Sequence, residues 1–224
     1  MKEITLQDVK KNPHVLAFIS ETEKSLKELK YTNHGLSHAN LVADRARTIA
    51  KEVGLKQRDQ ELAAIAGFCH DMGNFIGRTQ HHYWGSLLFL QVFQNIMIPE
   101  EIAMVSQAIA NHDKAEHEMH FVNKISAVVV LADKSDVRRS RVEPQLIKTI
   151  NTDIYQRVNY GATFSKLGLE KKKKRVVLEL TIDTDFVPVI EYFEIFIDRM
   201  SYCRQAAEYL GWKFGLVINK FKLL

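Results

Sequence analysis

Residues 63–74, AAIAGFCHDMGN, put the tightest limit on what this chain can fold into. Leu62, Ile65, Ala66 and Cys69 recur at helical spacing, so the run reads as a buried helix. It ends in His70 and Asp71, with Gly73 two residues on. A chain built this way must bring an imidazole and a carboxylate to the end of a core helix and find partners for both.

Other histidines repeat the pattern. Nine are present. His38 precedes Val42 by four and shares its face with Ala46 and Ile49. His70 follows Ala66 by four; His112 follows Ile109 by three and Val105 by seven. His81 shares a face with Gly85, Leu88 and Val92, whereas His82 lies off that stripe. Each of the four on a stripe therefore extends an apolar face at a helix end. Gly85, one turn beyond His81, lets a second backbone or a ligand come close. One inward histidine is ordinarily a core residue bonded to a carbonyl. Several together need partners for both nitrogens of every ring, and a shared cation supplies them at once. Asp71, Asp113 and Asp133 fit the same idea, since a buried carboxylate is costly without a partner and a divalent metal keeps it ionised.

Composition sets outer bounds. The 224 residues suit one large domain or a domain with an appended subdomain, and a hydrophobic share of 46% with 26% charged is ordinary for a globular chain. Two cysteines, Cys69 and Cys203, do not make a disulfide framework and point to a reduced, cytoplasmic setting. The N-terminal MKEITLQDVKKN has no apolar signal core, and no run reaches the roughly 18–20 apolar residues of a membrane span. The formal charge is +4, yet Lys171–Arg175 alone carries five positive charges, so the basicity is local. That run reads as a solvated turn, and nucleic-acid binding through it ranks last among the functional readings.

The first 160 residues read as helices. Thr5 with Asp8 forms a capping pair, and Pro99 with Glu100 and Glu101 makes a first turn. Ile125–Ala132 (ISAVVVLA) is apolar throughout, and periodicity cannot separate a buried helix from a buried strand there. After residue 160 the period changes. Val176, Leu178, Leu180 and Ile182 alternate as a half-buried strand, with Phe164–Leu169 as partner and the lysine run as hairpin turn. A helix from about Pro188 to Leu210 follows, capped by Gly211, and Trp212, Phe214, Leu216 and Ile218 alternate as a last strand. The expected architecture is mainly α: a helical body over residues 1–160, and over residues 161–224 a small antiparallel sheet packed on a long helix.

His38, the His70-Asp71 pair and Asp133, in that order, resemble the H…HD…D signature of the HD-domain metal-dependent phosphohydrolases. The match spans about residues 34–136 and implies an HD-domain helical bundle. His81 with Gly85, and then His112, is similar to the extra ligands of two-metal members. The resemblance implies His38, His70, Asp71 and Asp133 as ligands of a first metal, Asp71 as a bridge, and His81 and His112 as completing a second site. Asn74 stands where some branches have lysine, no acidic pair follows the HD, and the Gly-Tyr-Pro signature is missing. These departures weaken transfer of a guanosine tetraphosphate hydrolase or cyclic dinucleotide role.

Mixed imidazole and carboxylate ligands suit one or two divalent transition ions, among manganese, iron, cobalt, nickel and zinc, and tolerate magnesium. The implied chemistry is hydrolysis of a phosphoester or phosphoanhydride in a small phosphorylated compound, taken to be a nucleotide. Lys134 and Arg78 are candidate catalytic cations beside Asp71. Asn74, Asn111, Arg138, Arg139 and Arg141 are candidate substrate contacts, with a solvated helix face as the plain alternative for the arginines and a local cap for Asn111. His117 and His120 read as loop residues. Tyr192, Phe193 and Phe196 sit at helical spacing and read as core. A catalytically silent, metal-dependent module that binds a phosphorylated ligand is the alternative function, and the C-terminal sheet offers an edge for a homodimer.

Overall fold

The computed structural model describes residues 2–114 and 120–223. His117 lies outside them. Helix α1 (Leu6–Lys10) begins at the expected capping box, in which Thr5 and Asp8 satisfy each other's backbone N–H groups. Asn12 caps α2 (Pro13–Glu28), whose proline occupies the first turn, where a missing N–H costs nothing. Then come α3 (Leu36–Glu52), α4 (Gln57–Cys69), α5 (His81–Phe93), α6 (Pro99–Asn111) and α7 (Lys124–Lys134).

The ambiguous segment is a helix. Asn123 caps α7 by accepting from the Ser126 N–H, and every residue from Ile125 to Lys134 is buried. α7 touches α3, α4 and α6 in the body and α9 (Val189–Tyr209) from the C-terminal part. A helix enclosed on all sides needs no polar face, which is why its sequence shows no period. α4 is similarly enclosed, buried from Leu62 through Cys69, and it packs against α3, α6 and α7. His38, His70, His112 and Asp133 thus sit at the ends of helices that share one core.

Helix α8 (Ile154–Gly161) leads into β1 (Ala162–Glu170) and β2 (Arg175–Ile182), joined by the lysine run, with Lys174 in the left-handed region at φ 47°. Val176, Leu178, Leu180 and Ile182 are buried, as their alternation requires. Gly211, at φ 75°, ends α9 where a side chain would be strained. Tyr192 and Phe196 lie in the core of α9, with Phe193 packed against it.

The sheet is mixed rather than wholly antiparallel. Its order is β1-β2-β3-β4, with β3 (Lys213–Ile218) parallel to β2, Leu178 opposite Leu216. The long α9 carries the chain back across the sheet, and such a crossover returns the next strand parallel. A short β4 (Phe221–Lys222) then pairs antiparallel with β3. No helix among the described residues is long and apolar enough to cross a membrane.

Candidate metal centre

Four imidazoles converge through one kind of hydrogen bond. The His70 Nδ1–H donates to the Gly67 carbonyl at 2.8 Å, His81 Nδ1–H to the Arg78 carbonyl at 3.0 Å, and His112 Nδ1–H to the Ile109 carbonyl at 2.7 Å. Each acceptor lies three residues back, at the turn that ends or opens a helix. His38 differs: its Nδ1–H donates to Asp136 Oδ2 at 2.8 Å. Neither a carbonyl nor an ionised carboxylate can donate, so every Nδ1 carries a hydrogen, and in the neutral ring each Nε2 presents a lone pair inward.

Those Nε2 atoms face carboxylates and one another. His38 Nε2 and His70 Nε2 are 3.2 Å apart, and His81 Nε2 and His112 Nε2 are 3.1 Å apart. Asp71 lies between the pairs. Its Oδ2 is 3.4 Å from His38 Nε2 and 3.1 Å from His70 Nε2; its Oδ1 is 3.2 Å from His81 Nε2 and 3.6 Å from His112 Nε2. Asp133 Oδ1 closes the first group, 3.3 Å from His38 Nε2 and 3.6 Å from His70 Nε2. Neutral rings would set lone pair against lone pair beside ionised acids. Only a positive charge between them reconciles the arrangement: a proton or a cation. Donors about 2.1 Å from one ion stand about 3.0–3.4 Å from each other in octahedral or tetrahedral geometry, and all the observed spacings but two, at 3.6 Å, fall in that range. The residues present therefore fit a divalent metal.

The electrostatics carry the same message. Burial pushes the His70 imidazole down, but the charges of Asp71 and Asp133 outweigh it and raise its pKa to about 10. Burial and Arg141 also oppose a charge on His38, yet its bonds to Asp133, Asp136 and Asp71 raise it on balance. Burial would raise Asp71 and Asp133, but His70 beside Asp71 and Lys134 beside Asp133 hold both well below the ordinary range. His112 falls to about 4 because burial dominates, so its ring is neutral and free to act as a ligand at neutral pH.

The cationic candidates divide into two sets. Lys134 Nζ bonds Asp113 and lies 3.2 Å from Asp133 Oδ2. Burial opposes its charge, but Asp113 and Asp133 raise its pKa and keep it an ammonium. Arg78 Nη1 donates to Asn74 Oδ1 at 2.9 Å, and Asn74 Nδ2 donates to Asp71 Oδ1 at 2.9 Å, so Asn74 links the arginine to the acid. Arg141 is buried and lines the same pocket as Arg78, Lys134, Asp71 and Asp133. Arg138 and Arg139 do not line it. Arg138 donates to Asp136 Oδ1 at 2.8 Å, behind His38, and Arg139 donates to the Tyr160 carbonyl with its guanidinium 4.4 Å from that ring. Asn111 Nδ2 donates to the His120 carbonyl, tying the end of α6 to the next segment.

Asp136, His34 and Arg199 are not among the candidates named from the sequence, and two residues named there, Asp113 and His82, also stand at the site. Asp136 is held low by its bond to His38 and by Arg141, despite burial; its signal is its place three residues after Asp133 at the end of α7. His34 precedes the Gly35 cap of α3, and its ring stands 5.5 Å from that of His38. Asp113 pairs with Lys134 and comes within 3.7 Å of His81 Nε2. His82 is buried although it is off the apolar stripe, and its Nδ1 has no hydrogen-bond partner among the described residues. One of its nitrogens lies within 4.8 Å of donors from His81 and Asp113. Arg199 lines the pocket from α9, and nothing in its local sequence marks it.

The HD domain family model matches residues 35–150 of the chain. Among solved structures, a predicted HD superfamily hydrolase from an uncultured Thermotogales bacterium is similar at 18% identity and a TM-score of 0.45, covering 70% of this chain and 89% of that one. No curated protein matches the chain.

Proposed function

The chain belongs to the HD domain family of metal-dependent phosphohydrolases, and from that premise we propose that it cleaves a phosphoester or phosphoanhydride of a small phosphorylated compound, a nucleotide in our reading. The observation that carries the proposal is Asp71, whose two oxygens face two separate histidine pairs. In this reading His38, His70, Asp71 and Asp133 hold one ion, and Asp71, His81 and His112 hold a second. A divalent ion held there supplies Lewis acidity, which acidifies water and polarises a phosphoryl oxygen.

The protein groups then have defined tasks. The Nδ1 bonds to Asp136 and to three backbone carbonyls fix the rings, so each Nε2 is aimed before any ligand arrives. Lys134 keeps Asp133 and Asp113 in place, and its remaining N–H is available to a phosphoryl oxygen. Arg78 and Arg141 present guanidinium groups to the charge that grows on the phosphoryl oxygens. Asn74 acts by positioning Asp71 and Arg78 rather than by contacting substrate. Two buried cysteines without a disulfide support a cytoplasmic setting. The exposed lysine turn supports solvation there rather than nucleic-acid binding.

The test is to load the purified protein with manganese or cobalt and screen nucleotides and other phosphoesters. Phosphate release by the loaded protein, lost in Asp71→Asn, is the expected result. Ligand-induced thermal stabilisation with no product from any phosphoester would replace the enzyme reading with a binding module.

A further inference from the structure

The pocket above the acids is lined wholly by polar and charged side chains, and one of them comes from the opposite end of the chain. Arg199 sits in the middle of α9, twelve positions before Gly211, in a half-buried position. Its guanidinium lies 4.8 Å from the centre of the Phe196 ring, one turn back, and that contact fixes its direction without neutralising it. Among the described residues Arg199 has no carboxylate partner. Arg78 has none either: it has the Asn74 amide oxygen and, at 5.8 Å, the Tyr31 ring. Arg141 differs, with Asp136 Oδ2 at 3.7 Å.

Charge matching shows what is missing. The three pocket carboxylates, Asp71, Asp113 and Asp133, are already balanced by Lys134 and the first divalent ion, and a second ion only adds to the positive excess. Arg78 and Arg199 are left over. Two cations in a recessed, polar pocket, without acids of their own, are best satisfied by a ligand that carries two negative charges. A terminal phosphoryl group is such a ligand, whereas a phosphodiester carries one charge. Among the described residues the pocket has no apolar wall, so its lining suits the oxygens of a phosphoryl group and not the rest of the compound.

Resting on the hydrolase reading of the same site, we infer that Arg199 is a phosphate-contact residue supplied by the C-terminal helix, and that with Arg78 it selects a dianionic terminal phosphoryl group over a phosphodiester. The experiment measures binding rather than turnover. Manganese-loaded full-length protein is titrated calorimetrically with inorganic phosphate and with dimethyl phosphate at pH 8. The wild type is expected to bind phosphate at least about tenfold more tightly than dimethyl phosphate, as a charge-assisted contact implies. Arg199→Gln should weaken phosphate about tenfold, change dimethyl phosphate less than about threefold, and leave manganese content unchanged; Arg199→Lys should recover part of the loss. Equal binding of both anions by the wild type would overturn the inference. So would unchanged phosphate affinity in Arg199→Gln, or a loss that tracks loss of manganese in both variants. Arg199-dependent phosphate binding without turnover of any ester sinks the hydrolase reading and leaves this one standing. Turnover that is indifferent to Arg199 does the reverse.

Discussion

Asp71 is shared by two histidine pairs, so its replacement cannot be local. Asp71→Asn keeps the size and removes the charge that both pairs face. Metal content, read by elemental analysis, should fall by half or more, and activity by about 10²-fold or more. A variant with full metal content and full activity would mean that Asp71 is a bystander. Asp136 works one step further out. Asp136→Asn can still accept from His38 Nδ1–H, but it loses the charge that makes the ring a strong donor. Metal affinity should drop about 10–100-fold with the fold intact. His70 gives a pH prediction whose sign is fixed by its raised pKa. In metal-free protein its proton contributes stability in full below the unfolded value of 6.5, and that contribution is lost as pH rises through about 10. The melting temperature of metal-free protein should therefore fall across that window, and loading a divalent ion at pH 7.5 should release protons. Calorimetry in buffers of different ionisation enthalpy measures the release; heats independent of the buffer would contradict it.

Helices position these side chains by their ends, and the tightest junction is between the HD turn and α5. A Cβ added at Gly73 would stand 2.2 Å from the His81 carbonyl oxygen and 2.4 Å from the Gly85 nitrogen. Neither backbone atom can give way without moving the start of α5. Gly73→Ala should therefore cost about 1–3 kcal/mol, as overpacking does. Because His81 opens α5, it should also weaken the second ion more than the first. Urea denaturation and metal stoichiometry test the two halves of that statement separately. α7 shows the limit of pattern reading. ISAVVVLA suits a strand by composition, yet four helices enclose it and the Asn123 cap starts it. Enclosure erased the period that would have marked it. The parallel pairing of β2 with β3 was equally hidden, because alternation along a strand records which face is buried and says nothing of the neighbour's direction.

At the scale of the whole molecule, the C-terminal part both covers the helical body and enters its pocket. α9 packs along α7, and Arg199 projects from it toward Lys134 and Arg141. We expect a 1–160 fragment to expose the buried face of α7 and to be insoluble or unable to hold metal; a soluble fragment with a full metal complement would show instead that residues 161–224 are an independent subdomain. By itself the sequence determined the helical body, the strand-forming tail and the set of inward histidines and acids, because each is written as a local spacing between residues on one face. His38, His70, Asp71, His81, His112 and Asp133 were all legible in this way. Tertiary structure alone decided that they meet around Asp71, that Asp136 stands behind His38, that Arg138 and Arg139 turn away from the pocket, and that Arg199 arrives from more than sixty residues beyond Asp133. Such contacts depend on how helices cross, and no spacing along the chain encodes a crossing.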